Sequence, residues 1–148
     1  MKFKVQNFTP VPAVLLLSFL LLPAQTTEPL FGNWRLDLSK SGPSAYSRVI
    51  VRITPSENDG LKVVYDMIGM RGGVTHWEWT GKLDGKDYAL QGVEDVITNA
   101  YARTGPGVYA VVTKLDGRIA GTTTVTISPD GQVMTVTSSA STAVYTKQ

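Results

Sequence analysis

The sequence predicts an all-β protein, a single antiparallel up-and-down β-barrel of about ten strands behind an N-terminal export signal. Three observations predict it. Asp-Gly pairs recur at Asp59-Gly60, Asp84-Gly85, Asp116-Gly117 and Asp130-Gly131, and Asp-Gly supplies the positive φ angles of tight hairpins. The runs between them are rich in Val, Thr, Tyr, Ile and Trp and alternate apolar with polar, the period of a sheet with one dry face. No stretch beyond the leader holds a helical period. Short local links favour a closed barrel over a sandwich, whose sheets need long crossovers. Closure also removes exposed strand edges.

The leader comes first. Lys2 and Lys4 form a basic head, "AVLLLSFLLL" (13–22) an apolar core, and "PAQ" (23–25) an exit with the small Ala24. Such a segment reads as a secretory signal. Its apolar run is about half the roughly 20 residues a spanning helix needs. Cleavage is expected after Ala24, giving a signal over 1–24, a linker over 25–30 and one domain over 31–148.

Removing Lys2 and Lys4 leaves twelve basic against twelve acidic side chains, a mature charge of zero. Such a surface argues against nucleic acid, which demands a basic stripe. The chain has no cysteine, so an exported domain must be held by its core alone, and no N-terminal Cys is available for lipid attachment. The expectation is a periplasmic or secreted monomer with no stable membrane insertion after cleavage.

The strands follow in order. The first spans about 32–37. "SRVIVRIT" (47–54) sets Arg48, Ile50 and Arg52 against Val49, Val51 and Ile53. Gly42 and Pro43 limit any helix before it to a single turn over 44–47. "LKVVYDMI" (61–68) puts Leu61, Val63, Tyr65 and Met67 on one face. "VTHWEWTGKL" (74–83) sets His76, Glu78, Thr80 and Lys82 against Trp77, Trp79 and Leu83. Strands are then expected at about 86–91, 96–103, 107–114, 117–128, 132–138 and 142–147. Gly72-Gly73 and Gly105-Pro106-Gly107 add looser turns.

Gly32-Asn33-Trp34 opens the first strand of this meander. It resembles the Gly-x-Trp of the lipocalin superfamily. "GNWRLDLSKS", "HWEWTGKLDGKDYALQG", "SPDGQVMTVTS" and the closing "AVYTKQ" are similar to small exported bacterial lipocalin-like, calycin-type proteins, mostly of unknown function. The resemblance covers nearly all of 31–148. It implies a lipocalin-like barrel whose closed end is plugged by Trp34, with Gly32 letting the chain pass close by. It brings little function with it. "VITNAYARTGPG", the Gln132-Val133 continuation and a shortened link near Ser138–Thr142 depart from the usual pattern.

Trp77 and Trp79 share a face, being two residues apart on a strand. With Trp34, Tyr65, Met67, Tyr88, Tyr101 and Tyr109 they are the candidate lining of a cavity for a flat or chain-like apolar ligand. The competing reading is that these side chains simply fill a small barrel.

His76 is the lone histidine and shares the face of Glu78, so a solvent-exposed position is expected. An inward His76 would instead suit haem, which some lipocalin-like barrels bind through one His. Zinc wants three or four ligands, and neither metal nor cofactor is expected. No Gly-x-Ser-x-Gly elbow accompanies His76. Ser41 and Ser44 suit a turn beside Pro43. The lone acid of each Asp-Gly turn lacks the alternate acids of a calcium loop. Glu94-Asp95 point to opposite faces if extended and form a solvated acidic tip if looped.

The expectation is therefore no enzyme, but an exported barrel that binds a small apolar ligand non-covalently. The alternative is a filled-barrel structural or interaction protein of the bacterial envelope. The interior volume separates the two.

Overall fold

A computed structural model describes residues 27–148. The expected signal, 1–24, and its cleavage site lie outside the described residues. The chain forms β1 (Gly32–Leu36), β2 (Tyr46–Ser56), β3 (Gly60–Gly69), β4 (Val74–Gly81), β5 (Tyr88–Gln91), β6 (Ile97–Gly105), β7 (Val108–Leu115), β8 (Arg118–Ile127), β9 (Val133–Ser138) and β10 (Thr142–Lys147). Each strand pairs antiparallel with its sequence neighbours, and β1 closes on β10 through Trp34 opposite Lys147 and Leu36 opposite Tyr145. The architecture is a closed ten-stranded up-and-down barrel, as the alternation and hairpin signals predict. Closure pairs every edge.

The turns refine the sequence reading. Asp116 (φ 48°) and Gly117 (φ 76°) both take positive φ, as a two-residue hairpin demands. In the β2–β3 hairpin the positive angles fall on Asn58 (53°) and Asp59 (58°), one residue earlier than the Asp-Gly pair suggests, and Gly60 begins β3. No helical turn forms over 44–47. Ser44 Oγ instead accepts the Tyr46 amide at 3.0 Å, and β2 starts there in extended conformation.

β4 stops at Gly81 instead of running to Leu83. A Cβ on Gly81 would lie 2.5 Å from Trp79 Cζ2 and 2.7 Å from the Tyr88 ring, so only glycine lets those two rings meet. The chain then turns on Asp84, whose carboxylate accepts the Lys86 amide at 3.0 Å and the Tyr88 hydroxyl at 2.8 Å. That delays β5 to Tyr88.

β5 is the weakest part of the wall. It meets β4 only at Gln91 and Leu90 and β6 only at Tyr88 and Ala89, whereas β2 and β3 pair along their whole length. An Asp84–Ala102 bridge patches this seam near one end.

Up-and-down order gives the barrel two distinct ends. One gathers residues 27–31, the β2–β3, β6–β7 and β8–β9 turns and the β4–β5 loop. The other, the mouth, gathers the β1–β2, β3–β4, β5–β6, β7–β8 and β9–β10 connections. The core runs between them and is built from the inward face of every long strand. Val49, Val51 and Ile53 of β2 and Leu61, Val63 and Met67 of β3 are all buried, as the alternation predicts.

Candidate functional site

The end opposite the mouth is filled. Trp34 is wholly buried, and its Nε1–H donates to the Leu30 carbonyl at 2.9 Å. The preceding segment, expected as a linker from 25, is therefore part of the closure: Leu30 is only 1% exposed. Lys147 of β10 lies over the indole, with Nζ 4.9 Å from the ring centroid. Its stem fills the place a side chain at Gly32 would need, since a Cβ there would stand 2.5 Å from Lys147 Cε. Gly-x-Trp thus works as one unit: the glycine makes room for a cation that caps the tryptophan. Glu28 seals the same end by accepting hydrogen bonds from the Arg103 guanidinium and the Tyr109 hydroxyl.

A second aromatic group fills the interior between the closed end and the middle of the barrel. Trp79 is wholly buried, and its Nε1–H is shared between the Tyr88 and Asn99 carbonyls, each at 3.1 Å. Tyr101 packs tilted on it at 4.4 Å and Tyr88 edge-on at 5.7 Å. Asn99, a buried polar side chain, accepts from Thr113 Oγ1 at 2.8 Å. Among the described residues no side-chain nitrogen or oxygen wholly cut off from solvent lacks a partner.

The mouth half is different. A recess of about 230 Å³ opens between Leu36 of β1, Val49 of β2, Tyr65 and Met67 of β3 and Tyr145 of β10. Residues 41–45 of the β1–β2 loop and Tyr46 at the start of β2 roof it. Ser41 pins that roof, because its hydroxyl donates to the Asp37 carbonyl at 2.7 Å and accepts the Val144 amide at 2.9 Å. Gly42 adds a backbone bond to Thr142 at 2.9 Å. Ser41 and Ser44 thus act in the loop's own hydrogen bonding.

The phenols give this recess its polarity. Tyr65 and Tyr145 line it, Tyr101 lies in the filled part against Trp79, and none of the three makes a side-chain hydrogen bond among the described residues. Burial pushes all three hydroxyls up, Tyr145 to about 12. Tyr65 is raised well above its ordinary value, through burial first and then the neighbouring Tyr145 and Tyr101. They therefore stay protonated at any ordinary pH and remain available as donors. Trp77 stacks on Tyr65 at 4.1 Å with the planes 16° apart, so it backs the recess without lining it.

The candidate residues thus divide by depth. Tyr65 and Met67 line the recess and Trp77 supports it. Trp34, Trp79, Tyr88, Tyr101 and Tyr109 belong to the filled part. Sequence reasoning missed Leu36, Val49, Ala143 and Tyr145 of the lining and the roof over 41–46. Strand polarity held the signal for the lining: positions late in odd strands and early in even strands lie towards the mouth.

His76 faces outward, as its alternation with Trp77 predicts. Its Nδ1 meets Asp66 at 2.6 Å and its Nε2 meets Glu78 at 3.3 Å. Arg52 pairs with Asp66 and Lys62 with Glu78, each at 2.6 Å. Asp66 first, and Glu78 after it, raises the His76 pKa. The histidine has no line to the recess, so it is not placed to ligate a haem there. Larger clefts of about 620 and 780 Å³ flank Glu28 at the closed end, against the β2–β3 and β6–β7 turns. Both border Thr27, where the described residues begin, and neither is enclosed by the barrel.

Comparison with family models, with curated proteins and with solved structures finds no match to this chain.

Proposed function

We propose that this chain is an exported, lipocalin-like carrier that binds a small apolar molecule non-covalently in the mouth recess. The single observation behind the reading is the unfilled space of about 230 Å³ under the 41–46 roof, in a barrel otherwise packed with aromatic side chains. Its walls are apolar, from Leu36, Val49 and Met67, with the Tyr65 and Tyr145 hydroxyls as neutral donors. This is the usual pattern of a small-molecule site, a greasy wall with a few convergent polar groups. The volume lies below the roughly 300–1,000 Å³ of drug-sized ligand sites. The ligand is accordingly a single ring or short chain bearing an acceptor oxygen. Haem and long acyl chains do not fit. The reading assigns no reaction to the protein and places it in the periplasm or outside the cell.

A second reading, an envelope protein with no small ligand, draws support from the wholly buried Trp34, Trp79 and Tyr109 that fill the rest of the barrel. Titration of the purified exported protein separates the two. Phenol, a small quinone and octanoate are expected to perturb emission from the Tyr65–Trp77 stack, whereas haem and palmitate leave it unchanged. Val49→Trp, which fills the recess, abolishes the response while the protein stays folded by circular dichroism. Silence from every small probe transfers the assignment to the filled-barrel reading. Haem binding refutes the site.

A further inference from the structure

Leu38, Met70, Val74, Val96, Leu115 and Ile119 are the exposed large apolar side chains among the described residues. Every one of them lies at the mouth. Leu38 follows β1, Met70 and Val74 flank the β3–β4 turn, Val96 ends the β5–β6 loop, and Leu115 and Ile119 flank the β7–β8 turn. Val74 is 78% and Ile119 70% exposed. Scattered apolar exposure needs no explanation, but its collection on one end marks an interaction surface.

The charges on this rim are segregated. The β3–β4 turn carries Arg71 and no acid. The β5–β6 loop carries Glu94 and Asp95 and no base. None of these three forms an ion pair among the described residues, whereas Lys40 is paired with Asp37 at 3.4 Å in the β1–β2 loop. The β7–β8 turn balances Asp116 with Arg118, and the β9–β10 turn is the small, uncharged Ser139-Ala140-Ser141.

We propose that the mouth is a self-complementary surface on which two copies of this chain dock mouth to mouth. A twofold axis perpendicular to the barrel axis reverses the cyclic order of the mouth loops. With the β9–β10 turn on the axis, only one pairing results. The β3–β4 turn of each copy faces the β5–β6 loop of the other, and the β1–β2 loop faces the β7–β8 turn. Arg71 then meets Glu94 and Asp95, with Met70 and Val74 against Val96. The internally neutral Asp37–Lys40 and Asp116/Arg118 loops meet, with Leu38 against Leu115 and Ile119. The small β9–β10 turns meet each other, where bulk would hold the copies apart. Both unlike loop pairings match apolar with apolar, and Arg71 meets the opposite charges of Glu94 and Asp95. A lipid surface fits less well, because an anionic bilayer repels the Glu94-Asp95 flank. The pairing does not depend on the ligand reading, and it differs from the monomer expected from the sequence.

The test is sedimentation velocity on the exported protein across a concentration series, with circular dichroism melts to show that each variant is folded. A reversible dimer is expected. Arg71→Glu alone and the double variant Glu94→Lys, Asp95→Lys alone each weaken it at least about tenfold by placing like charges opposite. An equimolar mixture of those two proteins restores association, because each reversed charge then faces its opposite. Ile119→Ser weakens the dimer through its apolar contact. A monomer at about 1 mM overturns the proposal. So does a dimer indifferent to both charge reversals, or a mixture that stays monomeric. Co-flotation with phosphatidylcholine–phosphatidylglycerol vesicles in place of dimerisation assigns the rim to lipid and likewise overturns it.

Discussion

Truncating the indole that closes the barrel tests the reading of the Gly-x-Trp unit. Trp34→Ala removes a side chain with no exposed surface. A buried tryptophan covers about 150–250 Å², and at about 25 cal/mol per Å² that is a gross transfer term of about 4–6 kcal/mol. The unfolded chain already hides part of this area, which lowers the figure. Alanine also orphans the Leu30 carbonyl, which accepts from Nε1 at 2.9 Å, at about 1–3 kcal/mol. Relaxation of residues 27–31 towards water recovers part of that cost. The expected net loss is about 3–5 kcal/mol, in the range of large aromatic truncations. Urea melts followed by circular dichroism measure it, with the slope unchanged if only stability moves. Trp34→Phe retains most of the packing and loses the N–H, so about 1–2 kcal/mol is expected. A loss below about 1 kcal/mol for the alanine variant, the size of a surface change, refutes the reasoning. Equal losses for Phe and Ala would show that the hydrogen bond outweighs the packing.

Two further outcomes follow from the aromatic contacts and the surface charges. Gly81→Ala forces a Cβ into the Trp79 and Tyr88 rings, and melts should show a loss of about 1–3 kcal/mol with altered near-ultraviolet dichroism, as overpacking does. The exposed His76 makes a pH-dependent contribution. Asp66 raises its folded pKa above the ordinary 6.5, so the stabilisation is complete below 6.5 and fades as pH rises through the raised value. Asp66 moves the other way, held below its usual 3.8 first by His76 and then by Arg52, so its share is lost as pH falls through that lowered value. His76→Gln should therefore differ from wild type most between these two limits and converge with it in alkali. A difference that grows with rising pH would reverse the sign and refute the pairing.

Much of the wall was legible before any coordinates. Alternation in β2, β3 and β4 placed Val51, Val63 and Trp79 inside and His76 outside, because a sheet allows only two directions for a side chain. Boundaries failed where tertiary contacts decide them. The end of β4 depends on two rings meeting across Gly81, which local pattern does not encode. Depth along the barrel failed for a related reason. Parity tells in from out, whereas position along the axis follows from strand polarity and stagger together. The interior aromatics therefore stood together as one candidate lining, although Tyr65 borders the recess and Tyr109 lies at the opposite end. Leu30 was missed because a short apolar pair before Gly32 carries no period.

The brevity of β5 bears on how the wall opens. Two residue pairs on either side hold it, and local opening free energy follows the number of cooperative backbone bonds broken. Parting of the wall between β4 and β6 accordingly breaks fewer backbone pairs than parting it between β2 and β3. It frees two unpaired strand borders, the kind of surface that recruits strands from other molecules. Glu94 and Asp95 lie in the loop that follows β5 directly, at the mouth end of that seam.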